Sequence, residues 1–244
     1  MDEIEKFQRE VQQNIESLAA DKDVQALSRI WAREVTRHKY PYNFTWMGRP
    51  LIQLPQDMIA MQEIIWQVKP DLIIETGVAH GGSLIYYASL LEIIGGEGRV
   101  LGIDIDIRPH NRAEIEKHPM ARRIDLLQGS SIAADMIAEV HSRVTDKCIL
   151  VVLDSNHTHD HVSAELNAYA PLVSLGSYCV VMDTLVEDMP LDLQPTNRPW
   201  GIGNNPKTAV WEYVNTHPEF EIDKSIPHKL LITVAPDGYL KRVR

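Results

Sequence analysis

From residue 56 onward the chain alternates between two kinds of apolar pattern. DLIIETG, RVLGIDID, RRIDLLQGS, CILVVLD and SYCVVMD are short runs whose apolar stretch has no polar alternation. Between them lie longer stretches with apolar residues at steps of three and four: QDMIAMQEIIWQVKP, SLIYYASLLEIIGG, SSIAADMIAEVHSRV and DHVSAELNAYAPLV. A strand that is apolar throughout is buried on both faces, so this alternation predicts a parallel sheet covered by helices. The final HKLLITVAPDGYLKRV reads as two β-rich runs joined at Pro236-Asp237-Gly238, a hairpin signal. The expectation is an α/β, Rossmann-like sheet of about seven strands, mostly parallel, ending in a C-terminal antiparallel hairpin.

The first 55 residues have a different texture. Ile4, Phe7, Val11, Ile15 and Leu18, then Val24, Leu27, Ile30 and Trp31, fall at helical spacing. The aromatic and Pro/Gly-punctuated YPYNFTWMGRPLIQLP follows as a structured loop. Residues 1–55 are therefore read as a helical extension and 56–244 as the main domain. The Pro/Gly/Asn-rich stretch 187–207 is too long for a plain connection and reads as a lid or substrate wall. There is no internal repeat and no low-complexity segment.

Composition narrows the partners. The 244 residues carry a formal charge of −10, which argues against a non-specific grip on nucleic acid. Cys148 and Cys179 sit in apolar strand-like runs, as buried thiols in a reducing compartment do. The acidic start, MDEIEKFQRE, lacks the signature of a signal peptide, and no run approaches the roughly 18 apolar residues of a membrane span. A cytoplasmic location is expected.

The candidate chemistry lies at strand ends. IIETGVAHGGSL delivers Glu75, then Gly77, Ala79, Gly81, Gly82 and Ser83, to a turn that opens a helix. Glycines admit close backbone approach, and helix N-termini offer free N–H groups. An acidic Glu75 before the first glycine suits a cationic ligand such as a sulfonium or an α-ammonium group better than a pyrophosphate. The bland alternative is a tight turn that needs small residues. Asp104 ends the second strand, where nucleotide-binding sheets hold ribose hydroxyls. Gln128, Ser130 and Ser131 end the third and could line an adenine, or a serine there could cap the next helix.

Asp154 and Asp183 end the fourth and fifth strands, and two converging carboxylates suit a hard divalent cation such as Mg²⁺. His157, three residues after Asp154, could serve as a general base, since histidine ordinarily titrates near neutrality. The run HTHDH tempts a zinc-hydrolase reading, but its spacing departs from H-x-H-x-D-H by one residue. His159 and His161 then read as packing or helix-start residues, and Glu187 and Asp188 as solvated loop charges. Trp31 and Trp66 are expected in the core, whereas Trp46 and Trp200 could each line a pocket. Ser83 has no His–Asp relay in sequence and is a poor nucleophile.

ETGxxxGGS, GIDID, LDSNH and VVMD together resemble the core of class I S-adenosylmethionine methyltransferases. LDSNHTHDHV, RPWGIGNNPKTAVWEY and LLITVAPDGYLKR narrow the resemblance to the cephalosporin hydroxylase/rhamnosyl O-methyltransferase family, from about Trp46 to the C-terminus. The resemblance implies that Glu75 and loop 77–83 hold the methionine part of S-adenosylmethionine and Asp104 its ribose. It places Gln128, Ser130 and Ser131 near the adenine, makes Asp154 and Asp183 the Mg²⁺ carboxylates, and makes His157 the catalytic base. The sequence departs from the family in having Met182 and Thr184 beside Asp183, where relatives often carry an acid or an asparagine. That implies an ion bound weakly, by fewer protein ligands, or only together with substrate.

The expected activity is Mg²⁺-assisted O-methylation of a sugar, glycolipid or glycosylated metabolite, with residues 40–54 and 187–207, including Arg49 and Arg198, around the acceptor. The resemblance also implies a homo-oligomer. Two alternatives stand beside this reading: a metal-dependent hydroxylase or hydrolase built on residues 157–161, and a non-catalytic S-adenosylmethionine-binding protein. No 2-His-1-carboxylate iron site stands out in the sequence.

Overall fold

The computed structural model describes residues 2–145, 148–194 and 196–244. The N-terminal periodicity forms α1 (Glu3–Ala20) and α2 (Lys22–Thr36), each opened by an aspartate side chain. Asp2 accepts from Glu5 N, and Asp21 from Asp23 N and Val24 N, which satisfies N–H groups that a helix start leaves free. A small antiparallel pair follows, β1 (Phe44–Trp46) and β2 (Arg49–Leu51), inside the stretch expected as a loop. Pro55 opens α3 (Pro55–Val68), as the fixed φ of proline allows at a first turn.

The alternating region then runs β3 (Leu72–Thr76), α4 (Gly82–Ile94), β4 (Arg99–Asp104), α5 (Pro109–Lys117), β5 (Ile124–Gln128), α6 (Ala134–Arg143), β6 (Ile149–Leu153), α7 (His159–Tyr169) and β7 (Tyr178–Val181). It closes with α8 (Pro206–Thr216), β8 (Phe220–Ile222), α9 (Ser225–Leu230) and β9 (Tyr239–Arg242). Among the described residues the seven strands from β3 to β9 form one sheet, in the order β5-β4-β3-β6-β7-β9-β8. The first five are mutually parallel, and β9 runs antiparallel to both β7 and β8.

Alternate residues of one strand feed opposite layers. Ile73, Leu150 and Val152 pack with α3 and α4, whereas Leu72, Ile74, Val151 and Leu153 pack with α7 and α8. Burial on both faces is why these strands carry no polar alternation. Chain order reverses between β3 and β6, and the crevice above such a switch point is where open α/β sheets bind ligands.

Two expectations need correction. The antiparallel end of the sheet is present, but the partner of β9 is Phe220–Ile222 rather than HKLLITV. Ile226 and Leu230 reach the core one helical turn apart within α9, Leu231 then takes a positive φ of 62°, and Val234 packs on the core beyond the end of the helix. Trp31 and Trp66 are not core residues: they are 37% and 57% exposed. Trp31 packs edge-on against Tyr40, and Lys69 covers the Trp66 ring. Residues 187–207 are not a plain loop. A 3-10 turn at Leu191–Leu193, a bridge between Gly201 and Asn204, and a capping box at Asn205 organise the described part of it.

Candidate functional site at the carboxyl edge of the sheet

In-register pairing places Thr76 beside Leu153, so the ends of β3 and β6 emerge together. Asp154 N donates to Thr76 O at 2.9 Å, and Gly77 N to Ile103 O at 2.7 Å, extending the pairing past both strand tips. Gly77 has φ +92°, and a Cβ there would overlap the backbone carbonyl of Asp154. A Cβ at Gly82 would likewise strike the carbonyl of Pro50. These two positions are glycine because neighbouring backbones fill the space a side chain would need. The resulting crevice, about 50 Å³, is lined by Pro50, Gln53, Gly77, Ala79, Ser83 and Asp154 among others.

Glu75 is fully buried beneath this loop. Its Oε2 accepts from Ser83 Oγ at 2.8 Å, and Oε1 has no partner among the described residues. Burial pushes its carboxyl up to about 8, with the Asp104 charge adding to the rise and the Ser83 hydrogen bond opposing it. A buried acid with one orphaned oxygen fits a cationic group arriving above the glycine loop.

Asp104 Oδ2 accepts from Val78 N at 2.8 Å and Ala79 N at 3.2 Å, and Oδ1 from Asp106 N at 3.0 Å. It thus clamps the glycine loop, and a carboxylate has about four acceptor positions, leaving capacity for a hydroxyl. Ala79 itself sits at φ 44°, held by this clamp and by Asn111 Nδ2, which donates to Ala79 O.

Gln128 is exposed at the end of β5, and Ser130 follows it half-buried. Neither serine caps α6, whose N-cap is Ala133. Ser131 is buried, and its hydroxyl turns inward to Glu165 Oε1 at 2.5 Å. Ser155 Oγ donates to the same oxygen at 2.7 Å, and His161 Nε2 lies 3.4 Å from it. A fully buried Glu165 therefore ties the tip of β5 to the residue after Asp154.

Asp154, His157 and Asp183 converge, with one ligand atom from each lying within 4.8 Å of the others. His157 Nε2 is 3.1 Å from Asp183 Oδ2. Burial and the charges of Asp183, Glu75 and Glu165 drive the Asp154 carboxyl well above its usual range. Concentrated like charge of this kind is relieved by a cation. Two carboxylates are the hard oxygen donors that Mg²⁺ prefers, and an imidazole is not, so the donor set fits the ion on the carboxylates with His157 beside it. Asp183 occupies this place in a left-handed conformation, φ 56°, which a non-glycine residue adopts only where its surroundings enforce it.

The remaining histidines turn away. His159 Nδ1 meets Thr208 Oγ1 at 2.9 Å and its Nε2 lies 3.2 Å from Glu212, while His161 joins the Glu165 network. Trp200 stands edge-on to His157 with ring centroids 4.8 Å apart, and Arg198 lies over the Trp200 ring. Trp46 instead packs on Tyr86 and donates to Ser89 Oγ at 2.9 Å, away from the crevice. Arg49 braces the glycine loop through His80 O and Asn111 Oδ1.

Glu187 and Asp188 are not simply solvated. Glu187 accepts from Gly203 N and Asn205 Nδ2, and Asp188 pairs with Lys207 at 2.6 Å. Glu165 and Asn205 are not among the residues expected at the site. The first stands one helical turn after His161, and the second precedes Pro206 at a helix start, so spacing alone pointed to both.

The family model described as Rhamnosyl O-methyltransferase/CmcI matches residues 38–243. A Rhamnosyl O-methyltransferase of Mycobacterium bovis (strain BCG / Pasteur 1173P2) is 34% identical over 217 residues, covering 84% of this chain and 83% of the relative. That of Mycobacterium leprae (strain TN) is 33% identical over 216 residues, covering 84% and 88%. Among solved structures, CmcI with Mg and SAM superposes with a TM-score of 0.56 at 20% identity, covering 83% of this chain and 78% of that one. An O-methyltransferase from Bacillus cereus in complex with SAH gives 0.55 at 14% identity, covering 86% of each. These two likenesses establish the fold, the open α/β sheet that those methyltransferases share. The sequence match adds what the fold alone cannot, and because it runs from the β1–β2 pair through β9 this chain belongs to the Rhamnosyl O-methyltransferase/CmcI family.

Proposed function

We propose that the protein is an S-adenosylmethionine-dependent, Mg²⁺-assisted O-methyltransferase whose acceptor is a hydroxyl of a sugar or glycosylated molecule. The observation that carries this reading is the convergence of Asp154, His157 and Asp183 beside the glycine loop. Family membership supports O-methylation, and the relatives named as methylating a rhamnosyl group support a sugar acceptor.

In this reading Glu75 and loop 77–83 hold the methionine part of the donor, Asp104 the ribose, and Gln128 and Ser130 the adenine side. Ser131, whose hydroxyl is committed to Glu165, supports that wall from behind. Bound S-adenosylmethionine supplies an electrophilic methyl group, and Mg²⁺ on Asp154 and Asp183 supplies charge that makes a hydroxyl easier to deprotonate. His157 accepts the hydroxyl proton on the ring nitrogen that Asp183 leaves free, while Asp183 Oδ2, 3.1 Å from Nε2, orients the imidazole. Trp200 and Arg198 form one wall for the acceptor, where an aromatic face and hydrogen-bond donors suit a polyol.

The test is methyl transfer by the purified protein from S-adenosylmethionine to a panel of glycosides, with and without a chelator. Methylated product that disappears with the chelator and returns with Mg²⁺ supports the reading. Donor binding with no product on any hydroxylated acceptor favours the non-catalytic reading instead. The hydrolase reading is disfavoured by His159 and His161, which face Glu212 and Glu165 rather than one common point.

A further inference from the structure

Asp57, in the first turn of α3, is fully buried and lies outside the site described above. Three donors converge on its carboxylate. Thr233 Oγ1 and Tyr239 OH donate to Oδ1, the second at 3.0 Å, and Val234 N donates to Oδ2 at 3.0 Å. Three donors and no acceptor mark an ionised carboxylate.

The segment it grips, residues 233–238, in turn holds the chain on both sides of Asp183. Val181 N donates to Gly238 O at 2.8 Å, Thr184 Oγ1 to Pro236 O at 2.6 Å, and Leu185 N to Val234 O at 3.0 Å. Thr184 is completely buried in this arrangement. The left-handed backbone of Asp183 needs enforcement, and these three bonds supply it. The charges of Asp57 and Asp183 are also near enough to raise the Asp57 carboxyl, on top of the larger effect of burial.

We infer that Asp57 is a positioning residue for the cation site: through residues 233–238 it fixes the conformation that turns Asp183 toward Asp154 and His157. The inference rests on the metal reading of the preceding subsection. It adds a buried residue, on a helix that contributes nothing else to the site, whose effect is to set the affinity of the Asp183 arm.

The experiment measures Mn²⁺ affinity by electron paramagnetic resonance, alongside donor affinity by calorimetry, in the full chain. Asp57→Asn keeps the shape but places an amide N–H among groups that donate. Thr184→Val, a smaller perturbation, removes only the link to Pro236. Outer partners of metal ligands typically set affinity by about 10–100-fold. Asp57→Asn is therefore expected to weaken Mn²⁺ by about that factor and Thr184→Val by several-fold, with donor affinity within about two-fold and kcat recovering at high metal. A merely structural defect would weaken donor and metal together.

Folded variants with unchanged Mn²⁺ affinity overturn the inference, and if Asp57→Asn fails to fold, Thr184→Val decides alone. Should the native protein itself bind no Mn²⁺, the metal reading fails first and this inference falls with it.

Discussion

His157 and Glu75 are where single atoms decide the chemistry. His157 converges with Asp154 and Asp183, so His157→Ala removes the proposed proton acceptor without touching the glycine loop. A loss of about 10²–10⁴-fold in kcat is expected, with S-adenosylmethionine affinity within about two-fold, measured by turnover and calorimetry. Glu75 makes a pH prediction whose sign follows from burial. Its carboxyl rises from the ordinary 4.5 to about 8 in the folded protein, which therefore keeps a proton that the unfolded chain releases. Stability without donor should fall as pH rises from about 4.5 to about 8 and then level off, because the native state binds more protons across that window. Glu75→Gln should flatten that fall in thermal melts from about pH 5 to about pH 9, while weakening the donor by about ten-fold or more. If the native protein and Glu75→Gln melt in parallel across this range, Glu75 does not hold the proton.

The same residues show what sequence could reveal. Acids at or near the ends of apolar strands were legible because a carboxylate interrupting or closing a buried apolar run stands out against it. The roles of Arg49, Asn111 and Asp57 were not legible. Each acts through a partner 31 to 182 positions away in the chain, and only the folded backbone brings the pair together.

At the scale of elements, the parallel strands announced themselves through unbroken apolar runs, and the helices through their spacing. The end of the sheet misled because HKLLITV has strand-like composition, yet His228–Leu230 complete the short helix α9 and Leu231 follows with a positive φ. Short elements such as Phe220–Ile222 leave too little pattern to read. Asn205 shows how a cap can organise a functional wall. It accepts from Lys207 N and Thr208 N while donating to Glu187 and Gly201 O, so one side chain starts α8 and anchors the loop that bears Trp200. Asn205→Ala is expected to cost about 1–2 kcal/mol. For a chain of this size that lowers the melting temperature by about 2–8 °C. If the loop forms the acceptor wall, KM for acceptor should rise several-fold with donor affinity little changed. A larger effect on donor than on acceptor would place the loop elsewhere in the reaction.

For the whole molecule, the topology brings the chemistry together from distant parts of the chain. Glu75 and Asp104 lie on one side of the switch between β3 and β6, and Asp154 and Asp183 lie at the ends of β6 and β7. The carbonyl of Asp154 fills the space beside Gly77, so the backbone proposed to hold the donor and the backbone proposed to hold the cation are in van der Waals contact. A donor and a cation bound as proposed would share this boundary, and each would bear on the other's frame. Thermodynamics then demands reciprocity: whatever factor the cation adds to donor affinity, the donor must add to cation affinity. Coupling of this kind is typically about 5–150-fold. Calorimetric titration of donor with and without Mg²⁺, and of Mg²⁺ with and without donor, should return one common factor. Two independent affinities would mean that the contact at Gly77 transmits nothing.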